Sequence, residues 1–293
     1  MIDMEEFRPI KKAVIPAAGL GTRMLPATKE IPKELLTIFN RPIIDYIVEE
    51  AVQGGITDII FVTNKDNSLL KKYFKKNLKL EKHLIQKRKS QSLNLLPNKV
   101  FDKINFFFVT QKSPLGLGHA ISKVEKFIEE DAFAVLLPDE ILLSKSSISD
   151  FKRMISNFSI KGNGQILVET VSKSDLKKYG IVKLNDKKLS LGNIKEIKDI
   201  IEKPSISKAP SNKRVVGRYI LPSEIFKYLK KIKLGKDNEF QLTDAIRKIL
   251  KEKKKIFEAT FSNSEIYDCG SQMGFLDANI AIGKRNKEIK KFL

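Results

Sequence analysis

Four charged side chains stand where chemistry on a phosphate could be done: Arg23, Lys33, Asp139 and Asp268. Arg23 follows Gly19-Leu20-Gly21-Thr22, a glycine loop entered from the apolar run Ala13-Val14-Ile15 through Ala17 and Ala18. A strand feeding such a loop brings backbone N–H groups against phosphate oxygens. Glycine allows the close approach and positive φ that this needs. Arg23 adds a planar fork and Lys33 a point charge. Pro26 and Pro32 stiffen the segment between the two cations, so less entropy is lost when they engage a ligand. The dinucleotide fingerprint G-x-G-x-x-G fails because Met24 stands at its third glycine, and the Walker pattern fails because no Gly-Lys-Ser/Thr follows Gly19 at that spacing. A bare G-x-G would be a tight βα turn; G-x-G-T-R with two prolines and Pro32-Lys33 favours a phosphate loop.

Asp139 and Asp268 each end an apolar or β-prone segment, AVLLPD and EIYD. Either alone reads as a cap or turn residue. Beside a triphosphate-type loop, the two make a site for a hard cation such as Mg²⁺, which takes one or two carboxylates plus phosphate oxygens. Gln111 and the turn Gly116-Leu117-Gly118 form a second constellation. Glutamine offers a donor and an acceptor, as a uracil edge requires, and the glycines let backbone lie along a base. His119 reads as structural, because transfer from a triphosphate to a phosphate nucleophile needs no strong base. In Glu202-Lys203-Pro204 the proline holds Lys203 out of helix. A carboxylate beside an ammonium suits a sugar hydroxyl and a sugar phosphate; taken alone, the tripeptide is an ordinary exposed turn.

The elements that must position these groups alternate between strand and helix over 12–140. Ile44, Ile47, Val48, Ala51 and Val52 follow a helical stripe after Asn40-Arg41-Pro42. Strands are predicted over 58–63, 105–110 and 132–137, and a helix over 118–129. Residues 79–96 are basic and weakly helical, an insertion over one edge. The alternation implies right-handed βαβ units and a largely parallel sheet. Ligands of such sheets sit at strand carboxyl ends, where Gly19, Gln111 and Asp139 all fall. Beyond 149–158, a helix, the pattern is more mixed. Strands are expected over 164–171, 180–184, 194–201, 215–220 and 256–261, helices over 222–232 and 241–253, and a closing helix from 271 to about 290.

At 293 residues and 42% hydrophobic, the chain can build one sizeable core. No apolar run reaches about 18 residues, so no transmembrane helix is expected, and the N-terminus lacks an apolar signal core. The single cysteine, Cys269, excludes an internal disulfide and fits a reducing cytosol, so the expected location is cytoplasmic. The net charge of +20 invites a nucleic-acid reading. The lysines are scattered and not interleaved with aromatics, so a solvated surface is favoured, with neither nucleic-acid nor membrane partners.

The segment AAGLGTRMLPATKEIPKE resembles the signature of the nucleotidyltransferases that make sugar nucleotides, and is most similar to their bacterial UDP-glucose-forming branch. The resemblance continues through LGLGHAI, LLPDEIL, EKP, VGRYIL, EFQLTDAI and YDCG, over nearly the whole chain. It implies an α/β Rossmann-like nucleotidyltransferase fold over 1–270, with a mixed, mostly parallel sheet. The nucleotide half would span about 10–140, the sugar-phosphate half about 141–270, and a small C-terminal helical extension 271–293. It implies uridylyl transfer from UTP to glucose 1-phosphate, releasing pyrophosphate, with Mg²⁺ on Asp139 and Asp268. Ala17, Ala18, Glu34, Gln111 and a glycine of the Gly116–Gly118 turn would hold the base, and Gly19, Gly21 and Thr22 the rest of the nucleotide. Arg23 and Lys33 would be catalytic. Glu202 and Lys203 would bind the sugar phosphate, with Gly180 beside the sugar and Gly217 also matching. The resemblance also implies a homo-oligomer, a dimer or tetramer.

Two rivals stay open: a thymidylyl- or cytidylyltransferase, and a non-catalytic regulatory paralogue, which would be expected to lose Thr22-Arg23 or Lys33. Two departures from the pattern are a shortened segment over 185–195 and Glu140 after Leu-Pro-Asp, an added carboxylate expected either to tune the metal or to face solvent. Asp237 and Glu239 carry no assigned role.

Overall fold

The computed structural model describes residues 9–64, 68–130, 132–185, 194–252 and 254–286. Runs of β-branched and aromatic residues set its frame. Nine strands form one sheet in the order Asn105–Thr110, Asp58–Thr63, Lys12–Ala17, Ala132–Leu136, Lys213–Pro222, Gly164–Thr170, Phe257–Phe261, Ile194–Glu202 and Gly180–Leu184. The first four are parallel. Lys213–Pro222 runs antiparallel to both neighbours, and from there the sheet is mixed. The parallel half therefore sends the Gly19 loop, Gln111 and Asp139 out at one edge.

Side chains alternate across the strands as a two-residue period demands. Ala13, Ile15, Ile59 and Phe61 join one core and Val14, Ile60 and Val62 the other, all buried. On the first face, helix Ile43–Gln53 buries Ile44, Ile47, Val48 and Ala51, and helix Asp150–Lys161, capped by Ser149, buries Phe151, Met154 and Phe158. On the second, helix Leu242–Lys251 buries Leu242, Ala245, Ile246 and Ile249 at helical spacing. Full burial of one such side chain contributes roughly 1.5–3 kcal/mol, so both faces of the sheet are tied down and the loops at its edge can be specialised.

Some elements are shorter than expected. The helix at Leu117 ends at Ser122, and a 3₁₀ turn over Glu125–Phe127 follows. Val124 and Ile128 reach the second core from that tighter turn. The helix predicted over 222–232 contracts to Ile225–Leu229. The basic insertion is helical over Leu78–Gln86 and Ser90–Asn94, the first capped by Asn77. The shortened segment falls largely on 186–193, outside the described residues, as does the closing helix beyond 286. That helix, Gln272–Arg285, packs against strands Ser264–Asp268 and Thr37–Ile38, and Asn279 Oδ1 accepts from Phe39 N–H at 2.8 Å. Among the described residues, no helix is long and apolar enough to cross a membrane.

Candidate active site

The first strand ends at Ala17 and passes through buried Ala18 into the glycine loop. Gly21 takes a left-handed φ of 63°, and a Cβ there would lie 3.2 Å from Thr28 Cβ. Both facts select glycine. Its carbonyl accepts from Thr28 Oγ1 at 2.7 Å and from Met24 N–H at 2.9 Å, which folds the loop back over the turn Thr22–Met24. The next turn, Lys33–Leu35, lays the Lys33 side chain alongside Gly19, where a Cβ would stand 3.9 Å from Nζ.

Lys33 Nζ donates to Asp139 Oδ2 at 2.6 Å. Burial alone would lower the lysine pKa, but the Asp139 and Glu34 carboxylates outweigh it and hold the ammonium above its ordinary value. Burial would likewise raise Asp139, yet Lys33 and then Arg23 hold it below the usual carboxylate range. Glu34 is 1% exposed, and neither of its carboxylate oxygens has a hydrogen-bond partner. Burial pushes its pKa up to about 7.

Asp139 and Asp268 come together through a device absent from the sequence reading. Glu140–Ser144 is a strand, paired antiparallel with Ser264–Asp268 in the register Glu140↔Asp268. Cys269 N–H donates to the Asp139 carbonyl at 2.7 Å, closing the end of this ribbon. Arg23 Nη2 lies 3.9 Å from Asp139 Oδ2, and Nη1 lies 3.7 Å from Asp268 Oδ2. A Cβ built on Gly270 would meet Arg23 Nη2 at 2.7 Å, Asp139 Oδ2 at 2.9 Å and Asp268 Oδ1 at 3.0 Å. One small space is therefore faced by both carboxylates. No cluster of three or more carboxylate, histidine or cysteine ligands occurs among the described residues. Two carboxylates in such a cradle suit a hard ion that draws its other oxygens from phosphate and water.

Glu140 neither faces solvent nor joins that pair. It is buried, bonded to Arg214 Nη1 at 2.7 Å, and accepts from Gly217 N–H at 2.6 Å. A Cβ on Gly217 would lie 2.5 Å from Glu140 Oε2, so this glycine makes room for the carboxylate. Arg214 also pairs with Glu169 and stacks over Tyr179 at 4.3 Å. Arg218 is wholly buried, held by Glu50 and by the carbonyls of Leu137 and Glu140. Sequence reasoning passed over these arginines. The signal was present: two arginines within an otherwise apolar strand require buried partners.

A cavity of ≈ 530 Å³ joins Arg23, Asp139 and Asp268 to Gly180, Glu202, Lys203 and Gly217. Glu202 accepts from Thr243 Oγ1 at 2.9 Å, and burial raises its pKa. Lys203 sits at φ 40°, its Nζ 2.6 Å from Asp237 Oδ2 and its carbonyl 2.7 Å from Lys236 Nζ. Asp237 thus gains a role as the partner of Lys203.

Gln111, at the end of the edge strand, lies outside that cavity's lining, as do Gly116 and Gly118. Its N–H donates to the Thr63 carbonyl at 2.7 Å. Its Nε2 lies 2.8 Å from His119 Nδ1 and 3.4 Å from the Gly116 carbonyl. Gly116 has φ 92°, and a Cβ there would meet Glu239 Cβ at 2.6 Å. Gly118 N–H donates to the Phe240 carbonyl at 2.8 Å.

A glycine loop, a carboxylate pair and a lysine-bearing wall on a half-parallel sheet can now be set beside known proteins. A family model described as nucleotidyl transferase matches residues 12–285. A UTP–glucose-1-phosphate uridylyltransferase of Bacillus subtilis, YngB, is 40% identical over 98% of this chain and 94% of its own. One from Staphylococcus epidermidis is 40% identical over 98% and 97%. The solved UTP-bound UGPase of Acinetobacter baumannii is 41% identical, with a TM-score of 0.86 over 96% of this chain and 95% of that one. A UDP-glucose pyrophosphorylase solved with UDP-glucose is 38% identical, with a TM-score of 0.83 over 94% and 100%. With its glycine loop, its paired carboxylates and nearly its full length accounted for, the chain belongs to the nucleotidyl transferase family.

Proposed function

We propose that the protein transfers uridylyl from UTP to glucose 1-phosphate, forming UDP-glucose and pyrophosphate. The observation that carries this reading is the convergence of Arg23, Asp139 and Asp268 at a cavity whose other wall holds Glu202 and Lys203, with Lys33 bonded to Asp139. The relatives named above share that activity by name. The cavity sets Arg23 on one wall and Lys203 on the other, one cation for each phosphate-bearing substrate.

The sugar phosphate oxygen attacks the α-phosphorus in line, and pyrophosphate leaves from the opposite side. The nucleophile is already an anion, so the protein contributes positioning and charge stabilisation rather than a base. Lys203 holds the attacking phosphate, while Glu202 accepts from a sugar hydroxyl. Lys33 stabilises charge growing on the α-phosphate, and Arg23 reaches the departing β- and γ-phosphates. Asp139 and Asp268 would hold a magnesium ion, which when bound neutralises charge on the reacting oxygens. Gln111 faces the uridine with the Gly116–Gly118 turn, Ala17, Ala18, Gly19, Gly21 and Thr22 supply the close-packed loop, and Glu34 is sealed beside Lys33. Gly180 and Gly217 leave room at the sugar wall. We place the enzyme in the cytoplasm, as a homo-oligomer.

Pyrophosphate release should be measured with glucose 1-phosphate and UTP, dTTP or CTP side by side. The expected order places UTP first. Faster turnover of dTTP or CTP would reassign the base, and release from none of the three would overturn the enzyme reading.

A further inference from the structure

The Gln111 carboxamide is held in one of its two orientations by the neighbouring His119. One end of the amide lies 3.4 Å from the Gly116 carbonyl and 2.8 Å from His119 Nδ1. A carbonyl oxygen only accepts, so that end must be the NH₂ group. Its other proton then points at Nδ1, which must carry a lone pair. The imidazole proton sits on Nε2, and the ring also bonds to the backbone of Ser113. Phe240 packs beside the ring, centroids 6.2 Å apart.

Burial and then the Lys123 ammonium hold the imidazole below its ordinary pKa, so it is neutral at pH 7. Lys112 and Lys123 line the same small hollow, and no carboxylate lines it. No described residue donates to Gln111 Oε1. Unlike the oxygens of Glu34, that oxygen is not among the sealed, unpartnered atoms.

We infer that His119 is a positioning residue for base selection: its Nδ1 fixes Gln111 with Oε1 turned outward, where it accepts from uracil N3–H and rejects cytosine. The inference rests on the uridylyl reading above. With ribose and triphosphate anchored by the glycine loop, the base keeps its place whatever its identity. Cytosine then sets a lone pair at N3 where uracil has a proton, and two acceptors face each other. A freed amide could rotate and offer NH₂ to cytosine N3 instead. Thymine shares the N3–H of uracil, so His119 cannot tell UTP from dTTP. The inference therefore carries its own control.

The test compares kcat/KM for UTP, CTP and dTTP in wild type, His119→Ala and His119→Asn. In His119→Ala the preference for UTP over CTP should fall by roughly ten-fold or more, the scale of one buried hydrogen bond gained or lost. The UTP to dTTP ratio should stay as it is. Asparagine places an acceptor oxygen near the Nδ1 position and should restore most of the lost preference. An unchanged UTP to CTP ratio in the alanine variant, or an equal loss for all three nucleotides, would overturn the inference. A second measurement needs no variant. ¹⁵N chemical shifts of His119 in the intact wild-type protein should show an unprotonated Nδ1 and a protonated Nε2, and the opposite tautomer would overturn the inference as well. If wild type turns over no UTP, the uridylyl reading fails separately, because the tautomer is read without turnover.

Discussion

Glu34 is a sealed carboxylate that no described residue bonds through its oxygens. Its burial is nearly complete, its oxygens lack hydrogen-bond partners, and its pKa is pushed up to about 7. The folded protein therefore holds this proton more tightly than the unfolded chain does. A raised folded pKa means that the contribution is fully present below the unfolded value, near 4.5, and is lost as pH rises through about 7. The difference corresponds to about 3 kcal/mol as an upper scale. Glu34→Gln keeps the shape and removes the charge. Its Tm should exceed that of wild type at pH 8 and match it at pH 4.5; thermal melts across that range would expose an error as parallel curves.

At the scale of elements, the ribbon of Glu140–Ser144 with Ser264–Asp268 makes one site from two distant carboxylates. Such a pair is costly when close unless a cation stands between. Asp139→Asn and Asp268→Asn are each expected to fold, to need far more Mg²⁺ for half-maximal rate, and to turn over slowly. The double variant should lose less than the two single losses combined, since one site cannot be broken twice. Magnesium titrations of the four proteins decide this, and fully additive losses would separate the two aspartates. The long β-branched runs, the glycine loop and its rim partners were legible in the sequence because each is a local pattern. The ribbon was not. EILLS is short, begins with a charge, and becomes a strand only through its partner more than a hundred residues away. Glu140 was misread for the same reason: its environment is Arg214 and Gly217, on another strand. Nor does any sequence pattern announce the left-handed φ of Lys203 or the contact between His119 and Gln111.

Across the whole molecule, the parallel half of the sheet carries the glycine loop and the mixed half carries Glu202 and Lys203, joined through Lys213–Pro222 beside Ala132–Leu136. Residues 235–241 reach into both territories. Asp237 holds the Lys203 ammonium, Glu239 packs where a Gly116 side chain would stand, and the Phe240 carbonyl accepts from Gly118 N–H. One short stretch of backbone is thus anchored at Lys203 and at the Gly116–Gly118 turn. With Lys203 and the Gly116–Gly118 turn in the proposed roles, whatever tightens one anchor restricts the other, and the two substrates are expected to share a linkage free energy that is reciprocal by thermodynamic necessity. Glucose 1-phosphate should raise the affinity for an α,β-methylene UTP analogue by the same factor as the analogue raises affinity for the sugar phosphate, on the order of five-fold. Asp237→Ala should bring that factor close to one while leaving the analogue's own affinity nearly intact. Calorimetric titrations of each ligand with and without the other would measure it; an undiminished factor in the variant would locate the cross-talk elsewhere.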